Sequence, residues 1–387
     1  MINVYVIQIL LILFFGLLFR EDKKKFLTAA FIVLFVVMAF RHARMVGYDS
    51  TSSYFAEFID IQKHEISWPN PGLPLIMKAI SFLNGGYQWV IIVSATWVCF
   101  AYYRLLLTYS ENGFISVMWF MGMLFYTFLF SALKQAWAMA FLCFAFDAII
   151  KKKPMRFVFL IVLATLFHFP ALVFLPAYWI AKLKISRSFP ILMLSILVIV
   201  FIFRTQILNL MMSTYSRGEG DYSSDVTFLG TKSVFMLLML AYGFYQYFGQ
   251  KDNTRLNHNL FSALLYYMGI AAVIQTFCFF SNNFERLADY YYHFSILYVP
   301  LLIQRKVFLT SFIDKTTQPQ LNNALNSKVS FSRIKNYSID DIDMNTVFLV
   351  VIAAFCIWRY ASYMVSNVYL SPFYFFWQNV NISMRFS

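Results

Sequence analysis

Four cations and one histidine stand where apolar runs stop. Arg41 and Arg44 follow the run 26–40, Lys134 precedes the run 136–150, Arg286 precedes an aromatic stretch, and His168 separates two half-length runs. Arginine presents a planar fork that matches paired phosphate oxygens, whereas lysine acts as a point charge. Histidine can accept a proton near neutrality. Asp49 and Glu285 lie close enough in sequence to hold the arginines in place. Gln135 adds an amide, and Tyr290 and Tyr291 add rings and hydroxyls of the kind that bind sugars. Together these groups suit a diphosphate carrying a sugar, with a base to take a proton from a hydroxyl. Each also has a plainer role: lipid-headgroup anchor for Arg41 and Arg44, snorkelling for Lys134, helix-end hydrogen bonding for His168, an aromatic belt for the tyrosines, an ion pair for Glu285 and Arg286. Their co-location is what argues for a site.

The elements that position these residues are apolar helices. The chain is 60% hydrophobic and only 13% charged, against about 25% charged in a typical soluble domain. Apolar runs suitable for crossing a bilayer fall near 2–19, 26–40, 87–107, 114–130, 136–150, 156–168, 170–181, 189–203, 233–248, 259–280, 289–304 and 345–358. The expected fold is therefore an all-α polytopic membrane protein of about 12 transmembrane helices, one integral membrane domain over 1–387. The first run lacks a basic leader and a small-residue cleavage site, so it reads as a retained helix.

The net charge of +13 does not point to nucleic acid, because the lysines and arginines cluster in short gaps such as 20–25, 151–156 and 182–187. Alternating sides from a cytoplasmic 20–25 gap puts 19 of them inside and 11 outside, the positive-inside pattern. Arg41, Arg44, Asp49, Lys134, Gln135, His168, Glu285 and Arg286 then all fall on the outer side. A charge at mid-bilayer costs about 2.5–3.5 kcal/mol even on the lenient scale, so these residues must sit at the interface or in a wet cavity. Cys99, Cys143, Cys278 and Cys356 lie in apolar runs at no metal-ligand spacing and read as buried small hydrophobes.

Several segments break the helical pattern. The outer segment 41–86 contains 49–67, an expected amphipathic helix capped by Asp49 or Ser50, and 69–86, too short to span and either re-entrant or lying on the surface. At His168-Phe169-Pro170 the run 156–184 must form either a hairpin or a kinked helix. The outer loop 204–232, with Asp221 and Tyr222, is long enough to close over a substrate, and 305–344 reads as a polar cytoplasmic loop.

The order of these segments resembles the EpsG family, the Wzy-like membrane polymerases of bacterial exopolysaccharide and capsule. The segment 41-RHARMVGYDS-50 is similar to that family's "R…VG.D", with either Arg41 or Arg44 as its arginine. 134-KQAWAMAFL-142 stands at its Arg-Gln helix, with Lys134 in place of the arginine. 164-ATLFHFP-170 is similar to its "A..FH" helix, and 286-RLADYYYHF-294 to its late "RL..Y" element. Asn70 precedes the Pro-Gly pair where the family often has an acid, and Tyr54 lies further beyond Asp49 than usual.

The resemblance implies a GT-C-like glycosyltransferase that joins undecaprenyl-diphosphate-linked oligosaccharide repeats on the outer face of the bacterial cytoplasmic membrane. It implies no nucleotide sugar, no cofactor and no metal, with membrane lipid and a chain-length regulator protein as partners. In such a mechanism Arg41, Arg44, Lys134 and Arg286 meet the leaving diphosphate, and His168, or its rival Asp49, takes the acceptor proton. Gln135, Asp221, Tyr222, Glu285, Tyr290 and Tyr291 contact the sugars. A flippase of lipid-linked sugars, a membrane acyltransferase and a polymer ligase remain the competing expectations. A flippase needs its polar residues along a path through the bilayer, and an acyltransferase needs them to reach inward.

Overall fold

Where each helix begins and breaks decides which side chains meet. The computed structural model describes residues 4–61, 70–214, 231–249, 258–279, 282–304, 344–367 and 370–378. It is all-helical among those residues, apart from one isolated bridge between Arg41 and Phe375. Helices α1 (Val4–Leu18) and α2 (Lys23–Ala39) pack together, and the Asp22 carboxylate caps α2 by accepting from the Lys25 amide. Short helices α3 (Tyr48–Thr51), α4 (Ser53–Asp60) and α5 (Gly72–Phe82) follow, and then the long α6 (Tyr87–Tyr109) returns against α2.

The next span is broken. α7 (Gly113–Gly122) and α8 (Phe125–Ser131) meet at 53°, with Leu124 in the left-handed region at φ 65. Gly122 presses on the last helix, where a Cβ would fall 2.4 Å from the Cys356 Cβ and 2.5 Å from its Cα. Only glycine permits that approach. The Gly122 carbonyl, left without a continuing helix, accepts from Arg359 Nη1 at 2.7 Å. Irregular backbone at membrane depth persists only where protein or water satisfies it, and here an arginine does so.

Helices α9 (Leu133–Ile150) and α10 (Pro154–Phe167) pack closely, with Pro154 at the first helical position of α10, where its missing N–H costs nothing. A 3-10 turn over Phe169–Phe174 and α11 (Ala177–Ile180) continue the chain. Then come α12 (Phe189–Thr214), α13 (Thr231–Gly249), α14 (His258–Gln275), α15 (Asn282–Tyr292), α16 (Ser295–Gln304) and α17 (Met344–Ser366). The core is aromatic. Trp97 stacks on Trp137, which stacks on Phe167, and Phe146, Phe174 and Tyr267 gather around Phe294. α12 leaves Ile191, Leu192, Leu194, Ile199 and Ile202 bare, as a helix facing lipid does.

The chain is a membrane protein, but the span count differs from the expected 12. Four described helices are long and apolar enough to cross a bilayer, five if the bent pair α7–α8 counts as one span. Breaks account for the difference. The run 170–181 is only a 3-10 turn and a four-residue helix, and 289–304 belongs partly to a separate helix, α15, cut from α16 at His293 and Phe294. α1, α10 and α16 have 15, 14 and 10 residues, short of the roughly 20 a straight span needs.

Three boundaries also move. Asp49 and Ser50 lie inside α3 rather than capping a helix, and neither α3 nor α4 has a side-chain N-cap bond. α12 runs through Thr214, so the first third of the expected 204–232 loop is helical. Residues 215–230, with Asp221 and Tyr222, lie outside the described residues, as do 62–69 and all of 305–344 except Met344. The segment expected over 69–86 contains α5, a short helix seated by Gly72 on the Phe167 ring, where a Cβ would fall 2.6 Å from the ring.

Candidate active site

The segment after α2 is fixed by Arg41. Its side chain is fully buried at 0% exposure. Nε donates to the Val46 carbonyl at 3.2 Å, Nη1 to Met38 at 2.7 Å and Nη2 to Phe130 at 2.6 Å, and the guanidinium lies 4.7 Å from the Phe130 ring centroid. Burial draws its pKa down to about 10, which still leaves it charged at neutral pH. One side chain thus joins the end of α2, the loop and the end of α8. Gln88 braces the same loop, donating to the Ala39 and Arg41 carbonyls and accepting from the Ala43 amide. Gly47 turns the chain at φ 107, where a Cβ would strike Ser50 Oγ at 2.3 Å, and Tyr48 N then donates to Ser131 Oγ. The expected diphosphate role of Arg41 does not fit this geometry, because its donors are used on backbone carbonyls in a dry site. Arg44 is half-buried, with its guanidinium 4.3 Å over the Phe55 ring.

The loop fixed by Arg41 presents Asp49, whose Oδ2 lies 3.6 Å from Arg286 Nη2. Arg286 is carried on α15 and is 47% exposed. Its backbone carbonyl accepts from Gln135 Nε2 at 2.6 Å, so α9 and α15 are tied at the site. Gln135 is buried, so it reads as the clamp on α15 rather than a sugar contact. Lys134, in the first turn of α9, pairs with Glu57 of α4 at 2.7 Å and sits 5.8 Å from the Tyr54 ring. A cation at a helix N-terminus is unfavourable, and Glu57 offsets it.

His168 joins this group from the break after α10. Its extended backbone is held because the next amide, Phe169 N, donates to Asn70 Oδ1 at 2.7 Å. Its Nδ1 lies 2.5 Å from the Tyr290 hydroxyl. Arg286 and Tyr290 stand four residues apart on α15, which places them on one face. Burial, then Arg286, then Lys134 push the His168 pKa down to about 4, so the imidazole is neutral at pH 7. Tyr290 is fully buried and meets His168, and Tyr291, at 1% exposure, donates to the Val173 carbonyl at 2.8 Å. Neither forms the expected sugar platform: Tyr290 positions the histidine, and Tyr291 joins α15 to the 3-10 turn.

The other face of α15 borders a cleft of about 500 Å³. It is walled by the α7–α8 break, by Lys232 of α13, by Glu285, Arg286 and Asp289, and by Arg359 and Tyr363 of α17. Glu285 and Asp289, again four apart, share Lys232 at 3.0 and 2.5 Å. Lys232 holds the Glu285 carboxyl below its ordinary pKa, whereas burial pushes Asp289 up to about 6. One ammonium serving two carboxylates leaves the deeper one easiest to protonate.

Sequence reading missed Glu57, Lys232, Asp289 and Arg359, and noted Tyr54 only for its spacing from Asp49. The Glu285–Asp289 spacing was the one available signal, since it places two acids on one helix face and calls for a cation. Among the described residues no cluster of histidine, cysteine, aspartate and glutamate could hold a metal ion.

The EpsG family model matches residues 24–313 of this chain. No curated protein and no solved structure matches it.

Proposed function

The chain belongs to the EpsG family, and from that premise we propose that it is a polysaccharide polymerase acting on undecaprenyl-diphosphate-linked oligosaccharide at the outer face of the cytoplasmic membrane. The observation that carries the reading is a neutral His168 held by Tyr290, with the cations Arg286 and Lys134 near enough to depress its pKa. A base beside cations suits a reaction in which a hydroxyl loses a proton while an anion departs. Asp49 and Glu57 hold those cations at 3.6 and 2.7 Å. That supports Asp49 as an orienting group and His168 as the base.

In this reading the acceptor hydroxyl oxygen bonds to the anomeric carbon of the donor chain. The bond from that carbon to the diphosphate oxygen breaks, and the electron pair leaves on the diphosphate. The hydroxyl proton passes to His168. Arg286 stabilises the charge that develops on the departing oxygen. The bound diphosphate also offsets the cations that depress His168, so substrate raises the base towards its useful range.

The test is the lipid-linked glycan profile of cells lacking the gene, complemented with variants. Wild type restores the ladder of lengths. Arg286→Ala lowers polymer by about 10²–10³-fold, as removal of a group aligned on developing charge does, and single repeats accumulate on their lipid. Arg286→Lys, keeping charge without the fork, recovers part of the loss. A full ladder from Arg286→Ala removes Arg286 from the chemistry. Repeats trapped on the inner leaflet identify a flippase instead.

A further inference from the structure

The cleft beyond α15 has chemistry that the His168 side does not use. Arg359 gives Nη1 to the Gly122 carbonyl, and among the described residues Nε and Nη2 have no hydrogen bond. They lie at a wall shared with Arg286, itself 47% exposed and only loosely paired with Asp49. The two acids of the wall are already tied to Lys232, which is 11% exposed. Lys232, Arg286 and Arg359 line the cleft with two carboxylates, a third acid, Asp49, stands 3.6 Å from Arg286 outside that lining, and the volume of about 500 Å³ falls in the range of small-molecule sites. On the other side of Arg286, Arg41 is closed off by carbonyls and Lys134 is bound to Glu57. Beside Arg286, the wall therefore offers a second guanidinium, Arg359, whose Nε and Nη2 have no described hydrogen bond and are left for phosphate. Arg359 lies on α17, beyond the matched region 24–313.

We infer that this cleft seats the diphosphate of the donor lipid, gripped by Arg286 and Arg359, while the acceptor hydroxyl approaches from the His168 side. The inference rests on the polymerase reading and assigns its leaving-group subsite. The donor's anomeric carbon then lies next to Arg286, between the diphosphate and the base. The bond to carbon breaks with its electron pair staying on the diphosphate oxygen, where Arg286 and Arg359 meet it. The α7–α8 break has a role in this arrangement: it frees the Gly122 carbonyl that orients Arg359.

The test is calorimetric binding of farnesyl diphosphate, a short prenyl diphosphate, to the purified full-length protein at fixed salt, with inorganic pyrophosphate for comparison. Wild type binds the prenyl diphosphate more tightly than pyrophosphate. Arg359→Ala weakens binding about tenfold or more, in line with loss of charge-assisted hydrogen bonds. Arg359→Lys still reaches the Gly122 carbonyl and keeps the fold, yet loses the fork and weakens binding several-fold. Lys78→Ala, which removes an exposed cation on α5, leaves binding unchanged. Unchanged affinity in both Arg359 variants, or a tenfold loss in Lys134→Ala without one in Arg359→Ala, overturns this subsite and leaves the polymerase reading standing. Equal affinity for pyrophosphate overturns the lipid-linked identity of the ligand. No binding by wild type overturns both.

Discussion

Replacing His168 with alanine lowers polymer formation by about 10²–10⁴-fold, the usual worth of a general base, while the protein stays folded in the membrane. The side chain is half-buried at a break between helices, and its one described hydrogen bond goes to Tyr290. Losing it leaves the Tyr290 hydroxyl unpaired, at a cost of about 1–3 kcal/mol, which a well-packed helical core tolerates. Tyr290→Phe is the companion variant. It keeps the ring and removes the contact that orients the imidazole, so the rate falls by a smaller factor.

The pH profile separates the base from a merely structural histidine. The neutral imidazole is the working form, so activity is present above its pKa and is lost as pH falls through it. In the free enzyme that pKa is about 4, and the acid limb of kcat/KM belongs there. A bound diphosphate offsets Arg286 and Lys134, so the acid limb of kcat moves to higher pH. Wild-type rates in His168→Ala, or an acid limb that survives in it, remove His168 from the role and leave Asp49 as the base.

The second large effect concerns Arg41 and falls on the fold. Arg41→Ala strands the carbonyls of Met38 and Phe130 in a dry site, leaves that of Val46 to Ser50 Oγ, and opens a cavity beside Phe130. Each unsatisfied buried carbonyl costs about 1–3 kcal/mol, and the sum is a large part of the roughly 5–15 kcal/mol by which domains are stable. Protein abundance and monodispersity in detergent therefore collapse in Arg41→Ala. Arg41→Lys rescues only part, because one ammonium cannot reproduce a fork aimed at three carbonyls. Arg44→Ala, losing a half-buried contact over Phe55, accumulates normally. An Arg41→Ala protein that accumulates normally yet makes no polymer contradicts the clamp and returns Arg41 to the diphosphate.

Much of this organisation was legible in the residues. Apolar runs fixed the helical class, and several polar residues at their ends, Asp49, Lys134, His168 and Arg286, come together in the fold. The break at His168 followed from Pro170, and Arg286 and Lys134 do approach the same histidine. What the residues could not give is direction. Arg41 and Arg286 look alike in sequence, and only the fold turns one inward onto carbonyls and leaves the other half exposed. Tyr290 and Tyr291 are neighbours, and a step of about 100° on α15 sends one to His168 and the other to Val173. Arg359 was passed over because its partner is the Gly122 carbonyl, 237 residues away, released by a break at Leu124 that no proline or charge announces. Hydropathy registers apolar runs but does not see α7 and α8 bend or α15 separate from α16.

The central claim is that this chain joins diphosphate-linked repeats rather than moving or decorating them. The most direct measurement reconstitutes the purified protein in lipid vesicles with a single lipid-linked repeat and no nucleotide sugar, and follows both glycan length and free prenyl diphosphate. The account predicts a ladder of longer lipid-linked glycans, with one prenyl diphosphate released for each bond formed. Repeats that cross the bilayer and stay at unit length, with no diphosphate released, would contradict it.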